Sequence, residues 1–324
     1  MIATRIRLLA VFFFSLGPTL APASPCKKLN GLPGAEDIAT NTERTIAYIS
    51  SQERRKGDVE GALFRYDTEH GSDPVKLSLP LGPSTLHPHG ISLLENEEGS
   101  FLYVINHRES ENTIDVFSLE GSSAILVESY SSPLLVSPND LYVIDNGRFF
   151  VTNDLAISKP LWKIPLKKGG LRSGNVLWHD NKGFREIASG IGYANGIVLV
   201  DNTLVVAASL ERGVHIYDWD GTNAKPQHFI KLRTGVDNIE VSEDGSLWIA
   251  SHKNWLQFVL HGLHPRYSSP SEIVILENLR ENPKRPTIIK QDIPAAGASV
   301  ALPLGDLMVI GTVFEDYVLI CNKE

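Results

Sequence analysis

Five times along this 324-residue chain a polar side chain stands directly ahead of an apolar run: Glu36, His89, Asn139, Asn195 and Asn238, at steps of 53, 50, 56 and 43 residues. Oxygen donors gather at and near these points, as Glu36-Asp37, Asn153-Asp154, Asn195 and Asp237-Asn238. Several carboxylate and amide oxygens together suit a hard cation such as Ca²⁺, whereas zinc would call for His or Cys. Glu36 and Asp237 bring two negative charges and the asparagines none, which neutralises one divalent ion. Asn-Gly and Asp-Asn pairs are also ordinary turn formers, and any one of them alone reads that way. As a set in register with a repeat, they point to a metal.

Histidines form the second group. His87 and His89 are two residues apart, so on a strand they share a face, and His107 closes the following strand-like run. An imidazole titrates near neutrality and can take a proton from water. Two such histidines could also hold zinc, but no acid-His continuation follows and Pro88 between them looks structural. His252, at the head of another loop, is either a pocket residue or a structural one. The chain has no Gly-x-Ser-x-Gly elbow, no His-Glu-x-x-His, no phosphate loop and no spare cysteine, so serine or thiol catalysis is disfavoured.

Residues so far apart can meet only if the fold brings equivalent positions to one point. Each copy continues into short β-rich runs split by turns, such as Leu141 to Ile144 and Arg148 to Thr152 across Asp145-Asn146-Gly147. Periods near fifty residues with several strands each predict an all-β propeller, in which the first strand of every blade lines the central axis. A degenerate sixth copy is read at Gly297-Ala298-Ser299-Val300. Helical periodicity beyond two turns is nearly absent, and Ser158 to Gly183, with Lys167-Lys168-Gly169-Gly170, Trp162 and Trp178, is the best candidate for a loop or lid over one mouth.

Arg5 and Arg7, an apolar stretch from Leu8 to Leu16 and Ala21-Pro22-Ala23 have the layout of a secretory signal. Residues 1–23 are therefore expected to be a signal and 24–324 one propeller domain, in a secreted or periplasmic protein. In that oxidising setting Cys26 and Cys321, the only cysteines, are natural partners. A bond between them would lock the ring where its ends meet. A net charge of −8 excludes a basic nucleic-acid footprint, leaving a small molecule as the expected partner.

Taken together, Glu36-Asp37, His87-Pro88-His89-Gly90-Ile91-Ser92, Asn106-His107, Asn139-Asp140, Thr152-Asn153-Asp154, Ala194-Asn195-Gly196-Ile197, Val236-Asp237-Asn238-Ile239 and Gly311-Thr312-Val313-Phe314 resemble the paraoxonase/arylesterase family. The resemblance runs in order from about Gly31 to Cys321 and implies a six-bladed propeller with two calcium ions in its tunnel. It implies that the catalytic calcium is held by Glu36, Asn153, Asn195, Asp237 and Asn238, and the structural one by Asp37, Asp154 and the carbonyl of Ile91. His89 would activate water with His107 assisting, and Cys26 and Cys321 would form the family's terminal disulfide. The implied activity is hydrolysis of aryl esters and lactones. Two departures bear on partners: Ser251 stands where vertebrate members have a free cysteine, and the family's aromatic lid helix is matched by the polar Ser158 to Gly183 stretch. No membrane or lipoprotein partner is therefore expected. A sugar-lactone hydrolase or strictosidine-synthase-like propeller, or a calcium-stabilised binding module without turnover, are the alternatives.

Overall fold

Runs such as Leu204 to Ala208 are apolar at every position, and a strand can bury both faces only when its sheet is covered on both sides. A ring of radially stacked sheets provides that cover. The computed structural model describes residues 26–57, 59–155, 172–279, 282 and 284–323, and these form six four-stranded antiparallel sheets. The first consists of Ala35–Thr40, Ile46–Ser51, Ala62–Asp67 and Val75–Lys76, and the second of Pro88–Asn96, Gly99–His107, Asn112–Glu120 and Ser123–Ser131. Pro138–Asp145, Arg148–Asn153, Gly174–Asp180 and Gly183–Ile191 make the third, and Ala194–Val200, Thr203–Ala208, Gly213–Trp219 and Ala224–Lys231 the fourth. The fifth is Gly235–Val241, Leu247–His252, Pro270–Glu277 and Thr287–Ala296. The sixth takes Ala298–Leu304, Leu307–Thr312 and Asp316–Asn322 from the end of the chain, and Lys27–Pro33 from its beginning as outermost strand.

The innermost strands touch their neighbours in turn around a closed circle, the six-bladed propeller that the repeat predicts. Each blade is anchored on the next by its own apolar cluster, for example Leu63, Leu102 and Phe117 between the first two, and Val205, Ile249 and Val274 between the fourth and fifth. Closure is noncovalent through Lys27–Pro33 paired with Asp316–Asn322, and covalent through Cys26–Cys321.

Two expectations need revision. Within Ser158 to Gly183, residues 158–171, with Trp162, lie outside the described residues, but Gly174–Asp180 is a strand. Its Trp178 is buried against Phe150 and Trp219, so it belongs to the core and not to a lid. The lid-like element is instead a helix the sequence reading did not anticipate, α1 (Trp255–Leu263), opened by Asn254, whose side chain accepts from the amides of Leu256 and Gln257. The predicted signal segment also lies outside the described residues. Among those described, no helix is long and apolar enough to cross a membrane.

Candidate functional site

In every blade the pairing of the innermost strand with its neighbour slips near the start of that strand. Ladder partners are Ala35↔Ser51 then Asp37↔Ser50, Pro88↔Asn106 then Ile91↔Val104, and Pro138↔Asn153 then Leu141↔Val151. The same slip follows Ala194, Val236 and Ala298. A bulge frees its extra residue from the ladder and re-aims it. The bulged residues are Glu36, His89-Gly90, Asn139-Asp140, Asn195-Gly196, Asp237-Asn238 and Ser299, so the sequence repeat is a repeat of bulges facing the axis.

Four of these residues carry a buried oxygen without a hydrogen-bond partner: Glu36 Oε2, Asn139 Oδ1, Asn195 Oδ1 and Asn238 Oδ1. The amide nitrogens of Asn195 and Asn238 are engaged elsewhere, on Asp237 Oδ1 at 2.6 Å and on the Glu36 carbonyl at 3.1 Å. That orientation leaves their oxygens bare. A bare buried oxygen costs about 1–3 kcal/mol, so four in one ring call for a partner that takes a lone pair from each of them, which is what a hard cation does.

Asn153 does not join this ring. It ends the second strand of its blade, one strand away from the axis, and its side chain is saturated. Oδ1 accepts from the Ser137 amide at 3.0 Å, and Nδ2 donates to the Leu134 carbonyl at 3.0 Å and to Asn175 Oδ1 at 2.8 Å. Asn139, at the bulge of the same blade, occupies the place expected of it. Asp154 is displaced for the same reason: it accepts from Ser137 Oγ at 2.5 Å and from the Tyr193 hydroxyl. Its expected place beside Asp37 is taken by Asp140. Asp37 Oδ2 accepts from the Ile91 amide at 2.7 Å and Asp140 Oδ2 from the Ile197 amide at 2.8 Å, each reaching the following blade at the residue just after its bulge glycine. A Cβ on Gly196 would lie 2.6 Å from the Ile239 amide and 2.7 Å from the Asp237 carbonyl, so only glycine lets the strands approach this closely. Burial, and then repulsion from Glu36, pushes Asp37 up to about 8. Burial and the Asp37 charge raise Asp140 well above the carboxylate range. Buried carboxyls that repel one another are what a cation between them relieves.

On the lid side, the ring forms the floor of a cavity of about 170 Å³, with Arg54 and Tyr193 on one wall and Trp255, Phe258 and Phe314 on another. His89 enters it with Nε2 3.3 Å from Glu36 Oε1. Burial alone would raise Glu36, but contact with His89, backed by Arg54 and Asn238, takes it below the usual range. Behind His89, its Nδ1 lies 2.9 Å from His107 Nε2, and His107 Nδ1 lies 2.8 Å from Asn112 Oδ1. Burial, then the neighbouring His89, lowers His107 to about 3. His252 belongs to the site: it is 1 % exposed, its Nε2 is 2.7 Å from Asp237 Oδ2, and its ring stacks on Phe258 at 3.7 Å. Burial raises Asp237 against that contact.

Sequence reasoning missed Arg54, Tyr193, Trp255 and Phe258, and it named Phe314 only within the string Gly311-Thr312-Val313-Phe314. Only α1 left a trace, a capping Asn254 ahead of Trp255, Phe258 and His261 spaced by three. Arg55 ties this helix down by donating to the carbonyls of His261 (3.0 Å from Nη2) and Phe314 (2.6 Å).

The family model for Arylesterase matches residues 31–322. The chain is 26 % identical to serum paraoxonase/arylesterase 2 of Rattus norvegicus, over 90 % of this chain and 86 % of that one. It is 29 % identical to serum paraoxonase/lactonase 3 of Oryctolagus cuniculus, over 91 % and 88 %. It shares its fold with a gluconolactonase structure from Xanthomonas campestris, at 16 % identity, a TM-score of 0.60 and coverage of 94 % and 99 %. With a match that spans nearly the whole ring, from the outermost N-terminal strand to the last, this chain belongs to the arylesterase family.

Proposed function

We propose that the protein is a secreted calcium-dependent hydrolase of carboxylic esters, aryl esters and lactones first among them. Family membership supports the reaction class. The observation that carries the rest is the ring of bare oxygens on Glu36, Asn139, Asn195 and Asn238, with His89 Nε2 beside it. Those four, with Asp237, would hold the first calcium, and Asp37, Asp140 and the Ile91 carbonyl the second. When bound at the first site, calcium supplies polarisation of the substrate carbonyl and a counter-charge for its developing oxyanion.

The remaining work falls to the chain's own residues. His89 Nε2 takes a proton from the water whose oxygen bonds to the carbonyl carbon. As the C–O bond breaks, that proton returns to the leaving oxygen. His107, kept neutral by burial, holds the His89 ring through Nδ1 and does not store charge itself. Trp255, Phe258 and Phe314 pack the apolar part of the substrate and thin the water around it.

The test is turnover of phenyl acetate and a lactone panel by wild type and His89→Gln, each with calcium or chelator. Expected is a loss of about 10²- to 10⁴-fold in kcat for His89→Gln, the usual contribution of a positioned base, with calcium affinity retained. Full rates in that variant refute the base role, and wild-type turnover in chelator refutes the calcium.

A further inference from the structure

We propose that Asn112 is the positioning residue that sets the proton pattern of the His89–His107 pair, holding the His107 proton on Nδ1 so that His107 Nε2 accepts from His89 Nδ1 and His89 Nε2 is the nitrogen that trades protons with the cavity. The inference rests on the reading of His89 as the base and adds what makes that base competent.

Asn112 opens the strand Asn112–Glu120 and is the ladder partner of His107. Its amide is oriented by its other end: Nδ2 donates to the carbonyls of Leu135 at 2.9 Å and Val136 at 3.2 Å, accounting for both of its hydrogens. Hence the atom 2.8 Å from His107 Nδ1 is an oxygen. An amide oxygen has no proton to give, so Nδ1 of His107 carries one. A neutral imidazole has a single N–H, which leaves His107 Nε2 as an acceptor. That nitrogen is 2.9 Å from His89 Nδ1, which must then be the donor. His89 Nε2, 3.3 Å from Glu36 Oε1, is then the ring nitrogen of the pair that exchanges its proton with the cavity.

Every link points its hydrogen away from the cavity, and the direction is set at Leu135 and Val136, carbonyls on the loop before the third blade. The His107 backbone is itself held, its amide donating to the His87 carbonyl and its carbonyl 2.9 Å from His87 Nδ1. Both ring nitrogens of His107 are engaged as well, Nδ1 by Asn112 and Nε2 by His89, so rotating the ring would break both contacts.

The experiment is ¹⁵N NMR of ring nitrogens in the calcium-loaded full chain labelled at histidine, with His107 assigned by the signals missing in His107→Gln. Wild-type His107 is expected protonated on Nδ1 with Nε2 bare. Asn112→Leu is expected to move the proton to Nε2, the form commoner in water, and to lower kcat between about tenfold and 10⁴-fold with KM little changed. Asn112→Asp, an acceptor when ionised, is expected to keep the Nδ1 proton and to regain much of kcat, and it stands in should the leucine variant not fold. A wild-type His107 protonated on Nε2, or a pattern identical in Asn112→Leu, overturns the inference. The spectra do not depend on turnover. Full activity in His89→Gln would remove the base role and leave this result to stand or fall separately.

Discussion

Removal of the terminal bond by Cys26→Ser with Cys321→Ser is a perturbation whose size follows from topology. The bond closes a loop with a sequence separation of 295 residues, nearly the whole ring. The chain-entropy relation assigns such a loop about 19 cal/mol/K, or about 5–6 kcal/mol at 25 °C, as an upper bound. Unfolding entropy near 2.1 cal/mol/K per residue over roughly 300 residues is about 0.6 kcal/mol/K, so Tm should fall by up to about 9 °C. Activity at 25 °C should be unchanged, because the bond lies at the outermost strands of the sixth blade, with Leu307–Thr312 and Ala298–Leu304 between it and the axis. The assay is calorimetry of both proteins in calcium buffer, alongside initial rates on one ester. A Tm drop under about 2 °C would mean that pairing of Lys27–Pro33 with Asp316–Asn322 closes the ring unaided and would refute the reasoning. So would a loss of activity at a temperature where both proteins are folded.

Two further outcomes test the site. Asn139→Ala removes a bare axial oxygen and should weaken calcium binding by at least about tenfold in titration calorimetry. Asn153→Ala, which strands the Ser137 amide and Asn175, should leave calcium affinity near wild type while costing about 1–3 kcal/mol of stability. The opposite ranking would return Asn153 to the ligand set. In chelated protein Asp37 titrates at about 8 when folded, against about 3.9 unfolded. The folded state thus binds the extra proton between these values, and its contribution, present at low pH, is lost as pH rises from 4 towards 8. Urea midpoints should fall from pH 5 to pH 8 in chelator, fall less steeply in Asp37→Asn while the raised Asp140 and Asp237 keep the remainder, and recover at pH 8 with calcium. A slope unchanged by Asp37→Asn would show that the raised Asp37 is not its source.

The repeat from Glu36 to Asn238 was legible because each blade must place one residue at the same spot, and that demand is local to its strand. Periodicity therefore exposed the ring and its degenerate last copy at Ser299, while the pairing of Cys26 with Cys321 was legible from their being the only two cysteines, one near each end of a chain with a secretory layout. Neither α1 nor the choice between Asn139-Asp140 and Asn153-Asp154 could be read with the same certainty. Both pairs are Asn-Asp on neighbouring strands of one blade, identical in composition. What separates them is the slip in the ladder after Pro138, which frees one pair to face the axis while the other is tied to Ser137 and Asn175. Residue types alone determined that this chain could collect oxygen donors and an imidazole. Which way the hydrogens of His89 and His107 point was decided within the second blade and the loop after it, by Asn112 and the carbonyls of Leu135 and Val136. Which oxygens stay bare was decided by partners in other blades, such as the Glu36 carbonyl that takes the Asn238 amide, and proximity of that kind exists only once the ring has closed.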